Sequence, residues 1–374
     1  MSQRFDNTLL ADNGPAALVI REHLIPVEGA DAVFFPATYA DIGYNIDTAP
    51  NGKKIALIDS VGSQSNRIEP MFMEGAYAAL VPQIVITAGE KKVNLLEAGH
   101  RAGDAIVRGS ALKEELQRAF QAQLAGNAMP LAKIAPTSLV FGVWDSRDTQ
   151  AKLPRLIAST IRAYDVQELT RSATYFPPVD YVKMKVFTED EIQKAEGDAK
   201  NPLSKRGFVN ALANQTHGGV IAADLRRDAT LALSALKLLK ADSAENTLKL
   251  RRYILGLALV AFTKLPLGYL RQGTILVLDP QQPREFSAVN YDGTRTPCHL
   301  THEDALAFAQ AAATDFEIGK NRDEPFDAEK AKKDLNETKK AKNAARKDKK
   351  KEITPAAEKN QTDENAISQE SDSQ

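Results

Sequence analysis

The sequence of 374 residues has a single cysteine and no long hydrophobic run. Cys298 has no second cysteine to pair with, which excludes a disulfide framework. The longest apolar run, Ile254 to Phe262, is nine residues long, whereas a membrane-spanning helix needs about 20. The first ten residues contain no apolar core of a secretory signal. We therefore expect a cytoplasmic protein with no membrane partner.

The chain also lacks a strong excess of either charge. Its net charge is −1, so bulk charge gives no reason to expect a nucleic-acid binder. The charge is nevertheless uneven: residues 320–352 carry +5, residues 353–374 carry −4, and residues 1–319 carry −2. Apolar periodicity ends near Gly319. We predict a folded unit over residues 1–319 and a charged, disordered tail over residues 320–374.

Strand and helix patterns alternate along the folded part. The Asn51-Gly52 dipeptide predicts a hairpin, and the proline-interrupted residues 170–215 are typical of an insertion. The order is compatible with an α+β fold, a ferredoxin-like βαββαβ core with large insertions. Strands are predicted at 16–27, 55–59, 137–143, 163–169 and 273–278, and helices at 95–119, 153–161, 222–239, 247–263 and 304–313.

Familiar catalytic motifs are missing. The sequence has no GxxxxGK[ST], GxGxxG, GxSxG or HExxH string, which leaves no nucleotide loop, nucleophile elbow or zincin motif. Asp59 and Asp145 follow predicted strands and offer carboxylates for Mg²⁺, but capping of the strand ends is the simpler interpretation. We predict no cofactor and no metal.

One cluster near the C-terminal end has the chemistry of zinc ligands. Cys298, His299, His302 and Glu303 supply a thiol, two imidazoles and a carboxylate. Their spacing differs from that of common structural zinc sites. Thr301 with Asp304 three residues later fits a capping box, so we favour a helix start there.

A dense polar string follows the second predicted strand. Hydroxyl and amide side chains with one guanidinium at a strand-to-helix junction can bind an anion, because a helix start offers unpaired N–H groups. Ordinary capping is the alternative. Ser65 or Asn66 is the expected N-cap, with Glu69 closing a capping box. The string consists of Ser60, Ser63, Gln64, Ser65, Asn66 and Arg67.

A second cluster follows the predicted strand at 137–143. Trp144, Arg147, Lys152 and Arg155 place one aromatic ring and three cations within twelve residues. This mixture suits a nucleic-acid backbone with a stacked base. A buried tryptophan beside ordinary surface charges is the alternative.

These two clusters carry a resemblance to a known family. Leu57-Ile-Asp-Ser-Val-Gly-Ser-Gln-Ser-Asn-Arg-Ile-Glu69, Phe141-Gly-Val-Trp-Asp-Ser146 and Lys152-Leu-Pro-Arg155 closely resemble the CRISPR-associated RAMP-superfamily backbone subunit of type I-G (formerly I-U) Cascade. His100-Arg101-Ala-Gly-Asp-Ala-Ile106 and Tyr269-Leu-Arg-Gln-Gly273 look like further family segments. The resemblance spans about residues 16 to 280 and leaves out the charged tail.

The resemblance implies an RRM-derived palm with inserted finger and thumb elements, and we expect residues 170–215 to form a thumb or a finger. It implies copies that assemble head-to-tail along a CRISPR guide RNA (crRNA), with other Cascade subunits, and that present the guide for pairing with target DNA. Arg171 in the insertion and Arg271 join the two clusters as expected RNA-binding residues. No catalytic residue is implied.

Two other functions remain open at this point. One is a metal-dependent endoribonuclease of the same superfamily, which would cut matched target RNA. The other is a small-molecule enzyme, which would be a monomer without nucleic acid.

Overall fold

The computed structural model describes residues 8–265 and 268–336, apart from the side chains of residues 212–216. Its strands are β1 (Ala17–Pro26), β2 (Thr38–Tyr39), β3 (Gly43–Tyr44), β4 (Ile46–Thr48), β5 (Lys54–Asp59), β6 (Ile84–Ala88), β7 (Lys91–Asn94), β8 (Val143–Trp144), β9 (Lys152–Leu153), β10 (Ile157–Tyr175), β11 (Ala211–Ala232), β12 (Gly268–Arg271), β13 (Thr274–Leu278), β14 (Glu285–Val289), β15 (Arg295–Pro297) and β16 (Arg322–Pro325).

The helices are mostly short. 3₁₀ segments occur at Glu69–Met73, Gly75–Leu80, Leu95–Glu97 and Arg101–Gly103. The α-helices are α1 (Val61–Ile68), α2 (Ala105–Arg108), α3 (Lys113–Leu124), α4 (Met129–Ile134), α5 (Thr137–Phe141), α6 (Glu189–Ala195), α7 (Pro202–Lys205), α8 (Leu233–Leu236), α9 (Ala244–Thr263) and α10 (His302–Phe316).

An antiparallel sheet forms the centre of the fold. Its strands follow the order β12-β13-β1-β11-β10-β5-β4, and β14 pairs with the first half of β1 while β15 pairs with β14. Every second residue of β1 is buried, because successive side chains of a strand point to opposite faces of the sheet. The fold is thus mixed α and β, with an antiparallel central sheet.

Helices α9 and α10 contribute many buried residues to the core. They pack closely, since a Cβ on Gly256 would lie 2.8 Å from the Cα of Ala309. Tyr253 stacks on Phe316 with ring centroids 4.4 Å apart. The predictions of both helices, of the strands at 16–27, 55–59 and 273–278, and of the hairpin at Asn51-Gly52 are confirmed.

Three predicted elements are wrong. Residues 137–143 form mainly the helix α5 rather than a strand, because a short apolar run that is buried on all sides has no period to distinguish the two. The helix predicted at 153–161 lies instead at the start of β10. The helix predicted at 222–239 is the end of β11 followed by the single turn α8.

The insertion at residues 170–215 begins and ends as the far part of the β10–β11 hairpin. Between the two strands lie α6 and α7, and the rings of Tyr181, Phe187 and Phe208 form an aromatic cluster with centroids 5.0 to 6.2 Å apart. Phe176 and Met184 remain exposed. The hairpin therefore extends the sheet into a long arm with its own small core.

The boundary that we predicted after Gly319 lies too early. Strand β16 pairs in parallel with β6, and the Phe326 ring lies so close to Gly109 that a Cβ there would be 2.1 Å away. Lys330 binds Glu114 at 2.8 Å and Arg322 binds Glu115 at 2.6 Å. Residues 320–336 therefore belong to the fold. The rest of the predicted tail lies outside the described residues.

Candidate functional site

A cleft of about 790 Å³ opens beside the hairpin of β8 and β9. Its walls come from the turn at Arg101–Gly103, helix α2 and the chain from Gly142 to Arg155. The lining contains one carboxylate, Asp104, which caps α2 by accepting from the N–H of Ile106 at 3.1 Å. Its cations are Arg101, Arg108, Arg147, Lys152 and Arg155. The cleft is therefore strongly cationic although the whole chain is not.

Trp144 is exposed at the edge of this cleft. It pairs with Lys152 across the β8–β9 ladder, and the Lys152 Nζ lies 5.4 Å from the indole centroid. With 58% of its surface accessible, the ring is available for stacking. The alternative of a buried tryptophan is therefore wrong.

The loop that carries Arg147 is held by Asp145. This buried carboxylate accepts from the N–H and the hydroxyl of Thr149, at 2.8 and 2.7 Å. Asp145 thus stabilises the turn between β8 and β9, in agreement with its predicted capping role, and the Arg147 side chain projects from the loop into solvent.

Arg155 packs over a glycine at the opposite wall. Gly142 has φ +78°, and a Cβ there would lie 2.9 Å from the Arg155 Cγ and from the Leu153 carbonyl oxygen. The Arg155 Nη2 lies within 4.0 Å of the Cβ position of Gly62, in the first turn of α1. This contact brings the start of the polar string next to the cationic cluster.

Some side chains of the polar string are buried and others are exposed. Ser60, not Ser65 or Asn66, is the N-cap of α1, accepting from the N–H of Ser63 at 3.2 Å. Gln64 and Ser65 are buried, so our prediction that they face a ligand is wrong for these two side chains. Ser65 donates to the Val61 carbonyl oxygen.

Asp59 explains why Gln64 points inward. This buried carboxylate accepts from the Gln64 Nε2 at 2.5 Å and from the Arg67 Nε at 3.1 Å. Arg67 also donates to the Leu270 carbonyl oxygen at 2.9 Å, yet its side chain stays one-third exposed. Asp59 is thus occupied by nitrogen donors, in agreement with the structural role that we favoured.

Arg271 and Arg171 lie apart from the cleft lining. Arg271 donates to the carbonyl oxygens of Phe35 and Ile58, at 3.0 and 2.8 Å, and burial lowers its pKa. It therefore joins sheet elements rather than facing a ligand. Arg171 is exposed on the arm formed by β10 and β11.

A buried polar row continues from Gln64 across the sheet. The Ser159 hydroxyl donates to the Gln64 Oε1 at 3.0 Å and accepts from Arg227 at 3.3 Å. Arg227 pairs with Glu22, which also binds Arg284 at 3.0 Å. This row separates the two hydrophobic clusters of the core, so α1 is fixed to the sheet by specific polar contacts.

Sequence patterns missed three residues of the lining: His100, Arg101 and Arg108. Arg101 has a left-handed backbone, φ +51°, and no propensity rule predicts that conformation for arginine. The segment from His100 to Ile106 resembles a family segment, but the sequence predicted no binding role for it. This segment contained the pattern that could have predicted the cleft, because it places two basic side chains and a helix-capping aspartate within a few residues.

The described residues test the zinc alternative at the start of α10. Thr301 caps α10 and forms a capping box with Asp304, as predicted. His302 is held between the hydroxyls of Tyr77 and Thr263, at 2.8 Å each. Over residues 8–265 and 268–336 no three metal-binding side chains cluster. No helix in the same ranges has the length and apolar character to span a bilayer.

Comparison with known proteins gives one family. The family described as CRISPR-associated protein GSU0053 matches residues 18–168. That range contains both sequence clusters and every residue that lines the cleft. No curated protein matches the chain.

Proposed function

We propose that the chain is a guide-RNA-binding backbone subunit of a type I Cascade complex, starting from the match of residues 18–168 to the family described as CRISPR-associated protein GSU0053. In this proposal the cleft holds the sugar-phosphate backbone of the guide. The protein cuts neither RNA nor DNA and acts by presenting the guide for pairing with target DNA.

The cleft is the observation that carries this proposal. Four of its cations, Arg108, Arg147, Lys152 and Arg155, make no ion pair within residues 8–265 and 268–336. Surface cations of a folded protein usually have carboxylates nearby, and unpaired cations concentrated in one cleft attract a polyanion. Trp144 beside them supplies a face on which a base can stack.

Phosphate contacts fit the task of a guide carrier. Spacer sequences differ from guide to guide, so a carrier must bind backbone and leave base edges available for pairing. Guanidinium and ammonium groups provide that kind of binding. Equal affinity for guides of different sequence follows from it.

The central sheet supports an RRM-derived palm. Strands β14, β1, β11 and β10 are neighbours in this order, and each pair is antiparallel. If β1, β10, β11 and β14 are numbered one to four along the chain, the order is 4-1-3-2, with α1 before β10 and α9 after β11. This is the order of a βαββαβ fold, with β5 added at the edge.

The arm at residues 170–215 is proposed as the thumb that contacts a neighbouring copy. Phe176 and Met184 expose 68% and 60% of their surface near its end. Apolar groups at the end of a long arm become buried when a second copy or the guide covers them. A contact between two different surfaces of identical chains repeats head-to-tail and gives a filament.

Guide binding tests the proposal directly. Purified full-length protein is mixed with two crRNAs that share the repeat but differ in spacer sequence, and affinity is measured by fluorescence anisotropy. Similar dissociation constants and filaments in electron micrographs are expected. A monomer that binds neither guide contradicts the proposal. If its ratio of absorbance at 260 and 280 nm after purification is that of protein without nucleic acid, the result favours a small-molecule enzyme.

A second arm of the experiment addresses the nuclease alternative. Guide-loaded protein is incubated with matched target RNA and Mg²⁺, and the products are separated on a denaturing gel. Intact RNA is expected. Cleavage at regular positions, lost on adding EDTA, supports the endoribonuclease instead.

A further inference from the structure

A buried ion pair lies directly beneath the cationic cleft. The Arg101 Nε donates to the Glu69 Oε2 at 2.6 Å, and the two side chains are 5% and 2% exposed. Arg101 also donates to the Gly142 carbonyl oxygen at 3.3 Å and to the Asn66 Oδ1 at 3.4 Å. Its guanidinium is therefore fixed from three sides, while the residue still lines the cleft.

The backbone at Arg101 is also unusual. Its φ of +51° is a left-handed conformation that is unfavourable for a residue with a side chain. Glu69 opens the 3₁₀ segment that follows α1, so the carboxylate reaches Arg101 from the helix carrying the polar string. The two family segments thus meet at this contact.

Arg155 and Arg101 both contact Gly142, and the two cations repel each other. Burial is the larger cause that lowers the pKa of Arg155, and the positive charge of Arg101 lowers this pKa further. Within the described residues Arg155 has no carboxylate partner. Two adjacent guanidinium groups with one carboxylate beneath leave a positive charge that an anion can neutralise.

We infer that Arg101 and Arg155 form one phosphate subsite of the cleft and that Glu69 is its positioning residue, which takes up a proton when a phosphate binds. The inference rests on the proposed function and names the residues that bind one phosphate of the guide. The phosphate and Glu69 compete for the charge of Arg101. Protonation of Glu69 removes that competition.

The charges around Glu69 support a proton uptake near neutral pH. Burial raises the pKa of Glu69 to about 7, and Arg101 is the main group that opposes the rise. Thr137 from α5 faces the same carboxyl. A bound phosphate weakens the opposing field of Arg101 and raises the pKa of Glu69 further. Affinity must then increase as pH falls through 7.

The affinity of the full-length protein for a single-stranded RNA of mixed sequence, measured between pH 6 and pH 8, tests this inference. A further pKa rise of about one unit gives about fivefold tighter binding at pH 6 than at pH 8. Glu69→Gln keeps the shape and the acceptor for Arg101 but cannot titrate, so its affinity stays constant with pH. His100→Gln is the matched variant, because histidine changes charge in the same range; it should keep the dependence on pH.

The outcomes separate this inference from the proposed function. Wild-type protein that binds RNA with the same pH dependence as Glu69→Gln overturns the positioning role and leaves the function standing. Wild-type protein that binds no RNA at any pH overturns both. Should Glu69→Gln fail to fold, calorimetry in two buffers of different ionisation enthalpy measures the proton uptake of wild type and His100→Gln at pH 7. Uptake by both supports the inference, and no uptake by either overturns it.

Discussion

Removing two exposed cations of the cleft should weaken RNA binding in proportion to the phosphates they neutralise. Arg147 and Lys152 lie at the rim and are exposed. Each phosphate contact to a single strand contributes about 0.7 to the slope of log affinity against log salt. The four unpaired cations therefore supply a slope of about 2.8, and R147A/K152A should retain about 1.4.

These slopes translate into measurable affinities. Between 50 and 200 mM salt, a slope of about 2.8 weakens wild-type binding about 50-fold, whereas a slope of about 1.4 weakens binding by the double variant about sevenfold. Fluorescence anisotropy with labelled single-stranded RNA gives both slopes. The melting temperature should change little, since neither side chain contributes to the core.

Lys91 supplies the matched control. It is an exposed lysine on β7 and does not line the cleft, so K91A should keep the wild-type slope. Equal slopes for wild type and R147A/K152A would refute the assignment of the cleft as the phosphate-binding surface.

Three further predictions concern the elements around the cleft. Gln64→Ala removes the hydrogen bonds to Asp59 and Ser159 and should lower the free energy of unfolding by about 1–3 kcal/mol, measured by urea titration; an unchanged midpoint would contradict the buried network. Replacing residues 176–210 by a short turn should leave a soluble protein that binds short RNA but forms no filaments, and filaments of wild-type length in electron micrographs would exclude the arm as the assembly element. Truncation after residue 336 should leave guide affinity and its salt slope unchanged, whereas truncation after Gly319 deletes β16 and should lower the melting temperature. A smaller salt slope after truncation at 336 would identify the basic segment as an RNA-binding arm.

Local patterns identified the elements whose period is clear. The alternation along β1 and the apolar residues of α9 each specify their structure, so both were predicted correctly. Residues 222–232 also alternate, with Leu225, Ala229 and Leu231 on the buried face. The abundance of alanine and leucine there favours a helix by propensity. Pairing with both β1 and β10 makes the segment a strand, and no local rule anticipates that pairing.

The candidate site was predictable in composition but not in arrangement. The cations after Trp144 and their exposure followed from residue types and spacing. The burial of Gln64 did not, because its partner Ser159 is 95 residues away. The place of Arg101 in the cleft was not predicted for a similar reason. Its side chain is positioned by Glu69, 32 residues earlier in the chain, and by a left-handed backbone at Arg101. Contacts between distant segments decide which polar residues face a ligand.

The central claim is that the guide backbone lies in this cleft, and ultraviolet cross-linking tests it most directly. Full-length protein bound to crRNA is irradiated and digested, and the peptides that carry nucleotides are identified by mass spectrometry. We predict cross-links in peptides covering residues 99–108 and 142–155, with Trp144 as the main cross-linked side chain because its exposed ring can stack on a base. Cross-links confined to other surfaces, with none in these two segments, would contradict the account.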